Sequence, residues 1–581
     1  MTSSLGYVEP LLFLKRTQFI ITSKMETSAV EFEGKTYNKI TEGQATVLIP
    51  SENEVFYNPI QQFNRDMSIA AIRTWQKINA DELQNNEKLK RKALKGFESS
   101  SSKGIKILEA LAASGLRSLR YVKEIDNIDY ILANDLSEEA VESISRNSKY
   151  NGIPEGKLRA NQGDALDVLY SNRKPENQFD IIDIDPYGSA APFIDASVQA
   201  VKSGGLLCVT CTDMAVLASN NHPETCFAKY GGVSVRSEFC HELALRLLLN
   251  AIQTSATRYQ RHIVPMMSCS IDFYIRVFVR VYDSPVGAKD SIVNTGIVLN
   301  CNGCSSFKYQ ALGTKTCNKN NFKYHSATGP NLNSVCEICS SKLTVAGPCW
   351  ISSIHNTSFA KQMYELVSES ENKFFTKKRM MGMIKVIEEE LEIPFHYTLS
   401  ALCSAVKSGC PPIIKICSAI LNAGYKVSSA HSCQCSIKTD APTNIIWDII
   451  RAHVNSVGKS KKIEENSISC KILSVESSTA VDFTIRKEAN PESRKCKLVR
   501  YQVNPEKFWG PKSRHKTVKR KANMADLDRP QLFEKVRASP ISRKEAVHQL
   551  EVFLSSSAAQ TVPSGITTQL TKISKAFTES N

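Results

Sequence analysis

The sequence has 581 residues, more than one hydrophobic core usually organises, so at least two domains and some flexible segments are expected. Hydrophobic residues make up 42% of it, and it contains no apolar run long enough to cross a bilayer, which argues against a membrane protein. Lysine plus arginine (73) exceed aspartate plus glutamate (58), and this basic balance favours a polyanionic partner such as nucleic acid.

The first forty residues predict an N-terminal extension. Residues 1–24 carry two lysines and an arginine against a single acid, Glu9, beside a short apolar run. This pattern partly matches a mitochondrial targeting segment, from which Pro10 departs, and Met25 follows it as a candidate second start. We therefore expect two cellular addresses, the mitochondrion and the nucleus; an unordered chain end is the competing interpretation.

Residues 41–290 predict an α/β domain. Residues 45–49 and 55–57 have strand-like patterns, and residues 66–80 have a helical period. The polar, lysine-rich stretch 82–104 indicates a surface insertion. Apolar runs then alternate with amphipathic segments, which predicts an open, doubly wound, Rossmann-like parallel sheet. The predicted strands are 105–108, 130–133, 179–184 and 206–210, and the predicted helices are 116–124, 137–150 and 189–202.

Ligands of such sheets bind at the carboxyl ends of the strands, so the residues that follow each strand are candidates for chemistry. The first strand leads through Glu109, Ser114 and Gly115 to Arg117, a turn of mostly small residues where a ligand can approach the backbone. The turn lacks the three glycines that bring a pyrophosphate to a helix, which favours a ligand without phosphate. An ordinary strand-to-helix turn is the alternative.

Two further strand ends carry candidate cofactor contacts. Asp135 lies twenty residues past Gly115, where a carboxylate can accept hydrogen bonds from the two ribose hydroxyls of an adenosine. Its alternative role is to cap the helix that begins near Ser137. Asp164 and Ala165 could read an adenine amine, although a turn aspartate is an equal alternative at this position.

The most specific motif is Asp185-Pro186-Tyr187-Gly188, which ends the strand predicted at 179–184. An exocyclic amine on a base is a poor nucleophile because its lone pair is delocalised into the ring. A carboxylate and carbonyls fixed on its N–H groups counter that delocalisation and accept the proton. Tyr187 offers an aromatic face for an extruded base, whereas the alternative is a tight proline turn.

This motif resembles the Asp-Pro-aromatic motifs of amino-methyltransferases, and residues 40 to 515 resemble the eukaryotic tRNA guanine-26 N2,N2-dimethyltransferases. The most diagnostic segment is VFYNPIQQFNRD at 55–66. The resemblance implies S-adenosylmethionine as the methyl donor, and it also places Glu109 near this cofactor. Further similar blocks lie at 108–120, 133–147, 209–218, 240–250, 270–281 and 501–514, and the block at 270–281 suits an edge or late strand.

The resemblance also gives two residues of the diagnostic segment a role. It implies that Arg65 contacts the cofactor and that Phe56 lines the guanine pocket. A guanidinium can hold the methionine carboxylate with two parallel hydrogen bonds, and a phenyl ring opposite Tyr187 can sandwich a purine. The alternatives are an ion pair of Arg65 with Asp66 or Glu82 and core packing of Phe56.

Cysteine spacing predicts a structural metal site. Cys301 and Cys304 form one knuckle and Cys336 and Cys339 a second, and four thiolates complete a tetrahedral Zn²⁺ site. Unpaired buried thiols are the alternative. His431, Cys433 and Cys435 are of residue types that bind metals. Their alternate spacing favours an ordinary strand or loop over a second metal site.

The zinc module is expected to begin a tRNA-binding domain over residues 291–515. Helical patterns at 379–392, 399–407 and 412–424 precede a predicted strand at 425–429, an order that resembles a small winged-helix domain. Residues 516–581 form a basic and then serine- and threonine-rich tail. Its basic start could contact phosphates, act as a nuclear import signal, or simply be solvated.

The sequence thus predicts an enzyme that methylates N2 of guanine 26 in tRNA, without an evident obligate protein partner. The choice of guanine and tRNA depends on the resemblance. An adenine or cytosine amino-methyltransferase of DNA or RNA would use the same Asp-Pro-aromatic chemistry. A non-catalytic RNA-binding or RNA-folding protein on the same scaffold is the other alternative.

Overall fold

The computed structural model describes residues 28–50, 57–85, 104–318, 321–329, 335–371, 373–457, 464–477 and 480–501. The chain divides into two compact units, Met1–Arg514 and His515–Asn581, and every described residue belongs to the first. Phe56, the targeting segment, most of the predicted insertion and the tail from residue 516 lie outside the described residues.

A seven-stranded sheet forms the centre of the first unit. Its strands are β4 (Ile105–Glu109), β5 (Ile128–Asp135), β6 (Leu158–Gln162), β7 (Phe179–Ile184), β8 (Val201–Cys211), β9 (Arg261–Ile271) and β10 (Tyr274–Asp283). Their order is β6-β5-β4-β7-β8-β10-β9, in which β4 to β8 run parallel, β10 runs antiparallel to β8, and β9 pairs antiparallel with β10. The strand order reverses between β4 and β7, which is where such sheets bind ligands.

Helices cover both faces of this sheet because alternate residues of each strand are apolar on both sides. Leu108 and Ile182 belong to one buried core, and their neighbours Ile107 and Ile181 belong to the other. The predicted α/β sheet covered on both faces is confirmed. The helices are α1 (Gln62–Asn85), α2 (Leu116–Glu124), α3 (Glu138–Tyr150), α4 (Ala165–Ser171), α5 (Ala191–Ala200), α6 (Met214–Leu217), α7 (Pro223–Tyr230) and α8 (Cys240–Thr257).

Two predicted boundaries differ from the structure. The block 270–281 is not one strand, because a turn with a φ of +45° at Asp272 divides it into the end of β9 and most of β10. The polar insertion does not begin at residue 82, since α1 continues to Asn85. On this last part of α1, Glu82 Oε1 accepts a hydrogen bond of 2.8 Å from Arg280 Nη1.

An antiparallel sheet of three strands precedes α1: β1 (Ser28–Phe32), β2 (Lys35–Glu42) and β3 (Ala45–Pro50). Regular structure therefore begins inside the predicted extension of residues 1–40. The N–H of Leu48 donates to Asn147 Oδ1 at 2.9 Å, and this bond fixes β3 to α3. The sheet thereby places Glu42, at the end of β2, beside α1 and α2.

Beyond β10 the described chain forms smaller sheets and further helices. The helix Thr357–Glu369 shares a buried core with α1. The predicted elements at 379–392, 399–407, 412–424 and 425–429 are present within a few residues, as Lys377–Glu389, Leu399–Ala405, Ile413–Asn422 and Val427–Ala430. The strands are β11 (Thr295–Cys301), β12 (Phe307–Ala311), β13 (Gly313–Asn318), β14 (Asn321–Ser326), β15 (Leu343–Trp350), β16 (Tyr397–Thr398), β17 (Val427–Ala430) and β18 (Cys433–Thr439). The helices are α9 (Pro285–Lys289), α10 (Ser291–Asn294), α11 (Thr357–Glu369), α12 (Lys377–Glu389), α13 (Leu399–Ala405), α14 (Ile413–Asn422), α15 (Thr443–Val457), α16 (Ile468–Leu473) and α17 (Glu492–Lys495). Within the described ranges, none of the helices is long and apolar enough to span a membrane.

Candidate active site

The turn after β4 has an unusual backbone. Ala113 has a φ of +48° and Gly115 a φ of +75°, so the chain enters the left-handed region twice before α2 begins. A Cβ atom on Gly115 would lie 3.0 Å from Ile144 Cγ1, and a larger residue would therefore have to displace α3 side chains. Ser114 lies between them, and its carbonyl accepts a hydrogen bond of 2.9 Å from Asn147.

Asp135 ends β5 and its carboxylate contacts this turn. Its Oδ2 accepts the N–H of Ala113 at 2.8 Å, and its Oδ1 accepts the N–H of Ser137 at 3.1 Å. The helix cap of α3 is Ser137 itself, whose hydroxyl accepts the N–H of Ala140. Because a carboxylate has about four acceptor positions, Asp135 retains capacity for further hydroxyl donors.

Asp164 and Ala165 lie at the start of α4. Asp164 is exposed, and its Oδ1 accepts the N–H of Leu166 at 2.8 Å, so it caps this helix. Ala165 is buried. Asp164 therefore acts as a local helix cap, as one of the two interpretations expected. Its contact with an adenine amine stays a prediction.

Three carboxylates and two guanidiniums form a cluster, here called the Arg117 cluster, at the carboxyl ends of β4 and β7. Arg117 contacts Asp185 through Nη2, and its Nε lies 3.4 Å from Glu109 Oε1. Its Nη1 lies 3.5 Å from Asp183 Oδ2, which also accepts a hydrogen bond of 2.7 Å from Arg276. The side chains of Asp183 and Arg276 are fully buried, and that of Arg117 is 6% exposed.

Two acids of the Arg117 cluster have pKa values that are shifted in opposite directions. Burial raises the pKa of Glu109 to about 8, although Arg117 and a hydrogen bond from Ser118 act against this. Burial also acts to raise the pKa of Asp183, but Arg117 and Arg276 hold it below its ordinary value. Opposite shifts of neighbouring acids are typical of functional sites.

The motif Asp185-Pro186-Tyr187-Gly188 follows β7. The side chain of Asp185 is 20% exposed, and Tyr187 is 51% exposed. Gly188 has a φ of +93°; its N–H donates to Thr212 Oγ1 at 2.7 Å, and its carbonyl accepts the N–H of Thr212 at 2.9 Å. Thr212, which follows β8, therefore fixes the motif from the neighbouring strand.

Arg65 is buried in α1 and faces Glu42. Its Nε donates to Glu42 Oε1 at 2.6 Å and its Nη2 to Glu42 Oε2 at 2.5 Å. Burial acts to raise the pKa of Glu42, but Arg65 and Arg120 hold it below its ordinary value. The alternatives of a surface pair with Asp66 or Glu82 are wrong, since those acids pair with Arg120 and Arg280.

The two-armed contact that was expected between Arg65 and a methionine carboxylate also needs correction. The Nε and Nη2 atoms are already engaged by Glu42, which an incoming carboxylate would have to displace. Among the described residues, nothing accepts a hydrogen bond from Nη1. One arm of the guanidinium is thus left for a ligand.

Cys301, Cys304, Cys336 and Cys339 lie together and are buried, and their sulfur atoms are all within 4.8 Å of one another. The Sγ atoms of Cys301 and Cys339 are 3.3 Å apart, and those of Cys304 and Cys336 are 3.7 Å apart. Ligands about 2.3 Å from a tetrahedral Zn²⁺ are spaced similarly, so the four thiols fit this ion. The N–H groups of Gly303 and Cys304 donate to Cys301 Sγ, as expected of a thiolate.

His355, Glu390 and His431 form a second group of possible ligands. However, His431 Nε2 accepts the N–H of Ser270 and His355 Nδ1 accepts the N–H of Ser268, each at 3.2 Å. Each neutral imidazole therefore carries its proton on the nitrogen that faces Glu390, and no lone pair remains there for a metal. This group is a buried hydrogen-bond network between β9 and the C-terminal part of the chain.

Cys433 and Cys435 join neither group of possible metal ligands among the described residues. Cys433 instead begins β18, which confirms the predicted strand interpretation for this segment.

The structure brings Glu109, Arg117 and Asp185 into direct contact and places Asp135 on the same turn. Sequence reasoning missed Glu42, Asp183 and Arg276. A partial signal existed for the last two, because each is a charged residue within a mostly apolar strand, although β7 also contains Asp180 and β10 also contains Arg280 and Asp283. Glu42 had no comparable signal.

Comparisons with known proteins agree with this geometry. The family model described as N2,N2-dimethylguanosine tRNA methyltransferase matches residues 34–451. A tRNA (guanine(26)-N(2))-dimethyltransferase of Mus musculus is 40% identical over 534 residues, which are 86% of this chain and 80% of the relative. A mitochondrial tRNA (guanine(26)-N(2))-dimethyltransferase of Saccharomyces cerevisiae is 37% identical and covers 83% of this chain and 93% of its own.

Among solved structures, the complex of Trm1 from Pyrococcus horikoshii with S-adenosyl-L-methionine superimposes with a TM-score of 0.58 at 26% identity. The match covers 71% of this chain and 99% of that protein. The central sheet therefore has the Rossmann-like architecture that the sequence predicted. The chain belongs to the N2,N2-dimethylguanosine tRNA methyltransferase family.

Proposed function

We propose that this enzyme transfers methyl groups from S-adenosylmethionine to N2 of guanine 26 in tRNA and gives N2,N2-dimethylguanosine. The proposal depends above all on Asp185-Pro186-Tyr187-Gly188 at the carboxyl end of β7, in a chain of this family. The motif lies beside the strand-order reversal between β4 and β7, where doubly wound sheets bind ligands.

The described residues fit the cofactor in their chemistry. Asp135 has acceptor positions for ribose hydroxyls, and the left-handed turn lets a ligand approach the backbone. Arg65 offers Nη1 to the methionine carboxylate. When bound, S-adenosylmethionine supplies an electrophilic methyl group on a cationic sulfonium. The proposed cofactor contacts are Arg65, Glu109, Ser114, Gly115, Arg117, Asp135, Asp164 and Ala165.

Asp185 is the proposed acceptor for the N–H groups of the target amine. Its contact with Arg117 fixes the carboxylate, and its partial exposure leaves it accessible to a substrate. Pro186 has a fixed φ and no N–H of its own, so the backbone carbonyls of the motif can accept the second N–H. The exposed ring of Tyr187 stacks on the guanine, with Phe56 proposed on the opposite face.

The Asp185→Ala variant tests this assignment. We expect methyl transfer from labelled cofactor to tRNA to fall by at least 100-fold, because the amine loses its main acceptor. Binding of tRNA, measured by filter binding, should change little. Asp283→Ala removes an exposed carboxylate at the far end of β10 and serves as the matched control. Unchanged turnover of Asp185→Ala would refute the assignment.

The four cysteines are the proposed ligands of a structural Zn²⁺ within a tRNA-binding domain at residues 291–515, which follows a methyltransferase domain at 41–290. Support comes from the sulfur spacing and from the order β16, α13, α14, β17 and β18, which suits a small winged-helix-like fold. Metal analysis of the purified full chain should find about one zinc per chain.

The mitochondrion and the nucleus are the proposed locations. Residues 1–24 are basic and nearly free of acids, and the relative from Saccharomyces cerevisiae is named mitochondrial. The basic start of the 516–581 tail supplies a candidate nuclear signal. A reporter fused behind residues 1–24 should enter mitochondria. The full chain started at Met25, which lacks those residues, should not.

A further inference from the structure

The charges of the Arg117 cluster do not balance. Its carboxylates are Glu109, Asp183 and Asp185, and their ion pairs run to Arg117 and Arg276. With all five groups ionised, the cluster carries one excess negative charge. The side chains are between 0% and 20% exposed, so water screens this charge poorly.

The other groups in hydrogen-bond contact with the cluster are neutral, and the nearby guanidinium of Arg65 is already paired with the carboxylate of Glu42. Ser118 and Tyr121 from α2 donate to Glu109 and Asp183, and Asn64 and Ser68 from α1 accept from Arg117. Thr210 from β8 accepts from Arg276. Burial raises the pKa values of Tyr121 and of Cys208, which keeps both groups uncharged.

The oxygen Asp183 Oδ1 is a second sign of excess acceptor capacity. It is buried and has no hydrogen-bond partner among the described residues. An isolated excess charge in such a place is costly, so the cluster must gain either a proton or a cationic ligand. Glu109, with its pKa raised to about 8 by burial, is the group that holds the proton in the free protein.

The proposed cofactor and its product differ in this same property. S-adenosylmethionine carries a sulfonium, an ammonium and a carboxylate, which sum to +1. Transfer of the methyl group leaves a thioether, and the product S-adenosylhomocysteine has no net charge. A site with one excess negative charge favours the first over the second.

We infer that the Arg117 cluster discriminates the cationic methyl donor from its neutral product, with Glu109 as the specificity-determining carboxylate. The inference rests on the proposed function. In the free protein Glu109 holds a proton, and binding of the cationic donor releases that proton to solvent. After the reaction the neutral product no longer offsets the excess negative charge, and Glu109 regains a proton from solvent. A fresh cationic donor that replaces the product releases this proton again.

Isothermal titration calorimetry of the full chain tests the inference. From heats in phosphate and Tris buffers at pH 7, S-adenosylmethionine should release about one proton more than S-adenosylhomocysteine. Glu109→Gln should abolish this difference. It should also shift the ratio of the two Kd values about tenfold in favour of the product. Asp283→Asn, at an exposed site, should change neither quantity.

Equal proton release for the two ligands in the wild-type chain would overturn the inference, and this measurement does not depend on whether a variant folds. An unchanged ratio of Kd values in folded Glu109→Gln would overturn it as well. If tRNA is still methylated in either case, the proposed function stands and only the charge discrimination fails. Failure of both ligands to bind would remove the proposed function together with the inference.

Discussion

The buried carboxylate of Asp183 offers the sharpest test of what stabilises the site. Its Oδ2 accepts from Arg276 at 2.7 Å and from the Tyr121 hydroxyl at 2.5 Å, and lies 3.5 Å from Arg117. Asp183→Asn keeps the shape and one acceptor but removes the charge between two guanidiniums. Loss of one partner of a buried pair costs about 3–5 kcal/mol. Because the amide still accepts one hydrogen bond, worth about 1 kcal/mol, we expect a loss of about 3 kcal/mol.

Asp283→Asn is a matched control for this change. Asp283 Oδ1 also accepts a hydrogen bond of 2.7 Å from an arginine, Arg261, but its side chain is 58% exposed. Water screens this exposed carboxylate even though the Arg261 side chain is only 5% exposed, so the variant should lose less than about 1 kcal/mol. Urea unfolding, followed by circular dichroism at pH 7, gives both values from the shift in midpoint.

The stabilisation by Asp183 should depend on pH, and the direction of its pKa shift gives the sign. The folded-state pKa of Asp183 is below its ordinary value, so its contribution is present above the unfolded pKa of about 3.9. That contribution is lost as the pH falls through the lower folded-state value. The gap between wild type and Asp183→Asn should therefore narrow in acid. Equal losses in the two aspartate variants at pH 7 would refute the reasoning from burial.

Four further outcomes are expected. Asp135→Asn should weaken S-adenosylmethionine binding about tenfold by calorimetry, because the ribose loses a charged acceptor; unchanged Kd would remove Asp135 from the site. Gly115→Ala should lower the free energy of unfolding by about 1–2 kcal/mol, since its φ is +75° and the new Cβ would crowd α3. Cys304→Ser should abolish bound zinc in metal analysis, whereas Cys410→Ser, at an exposed thiol, should retain it. The thermal midpoint of the wild type should fall as the pH rises from about 4.5 towards 8, because the raised pKa of Glu109 favours its protonated form in the fold; Glu109→Gln should show a shallower fall.

The central sheet could be predicted from sequence because its strands are short apolar runs between amphipathic helices. The helix at 116–124 and the strand at 179–184 have the predicted bounds. The pattern of 270–281 predicts a single strand where the structure has the end of β9 and most of β10. The turn between them, at Asp272 and Phe273, contains no glycine or proline that would indicate it. The strand β2 was missed because KTYNKITE lacks the apolar content of a recognisable strand.

The candidate site was predictable where a motif follows a strand, as at Asp135 and Asp185. It was not predictable where two contacting residues lie far apart in the sequence. Glu42 meets Arg120 across 78 residues of sequence, and no local pattern of β2 indicates that partner. Asp183 and Arg276 are opposite charges inside mostly apolar strands of one sheet, where a buried charge needs a partner. Asp180 and Arg280 in the same two strands nevertheless leave the pairing open from the sequence alone.

The chemistry also differs from the expectation in one respect that the residues explain. Arg65 was expected to hold a carboxylate of the ligand, and the structure shows that the protein supplies the carboxylate itself, from Glu42. This geometry cannot be predicted from the Arg65 segment alone. It depends on the N-terminal sheet that places Glu42 beside α1.

The most direct test of the central claim is to identify the modified nucleotide. The full chain would be incubated with labelled S-adenosylmethionine and unmodified tRNA, and the product digested to nucleosides and mapped by mass spectrometry. The account predicts N2,N2-dimethylguanosine at position 26 and no label in duplex DNA. Label in adenine, in cytosine or in DNA would contradict the account, and so would a tRNA that carries no label.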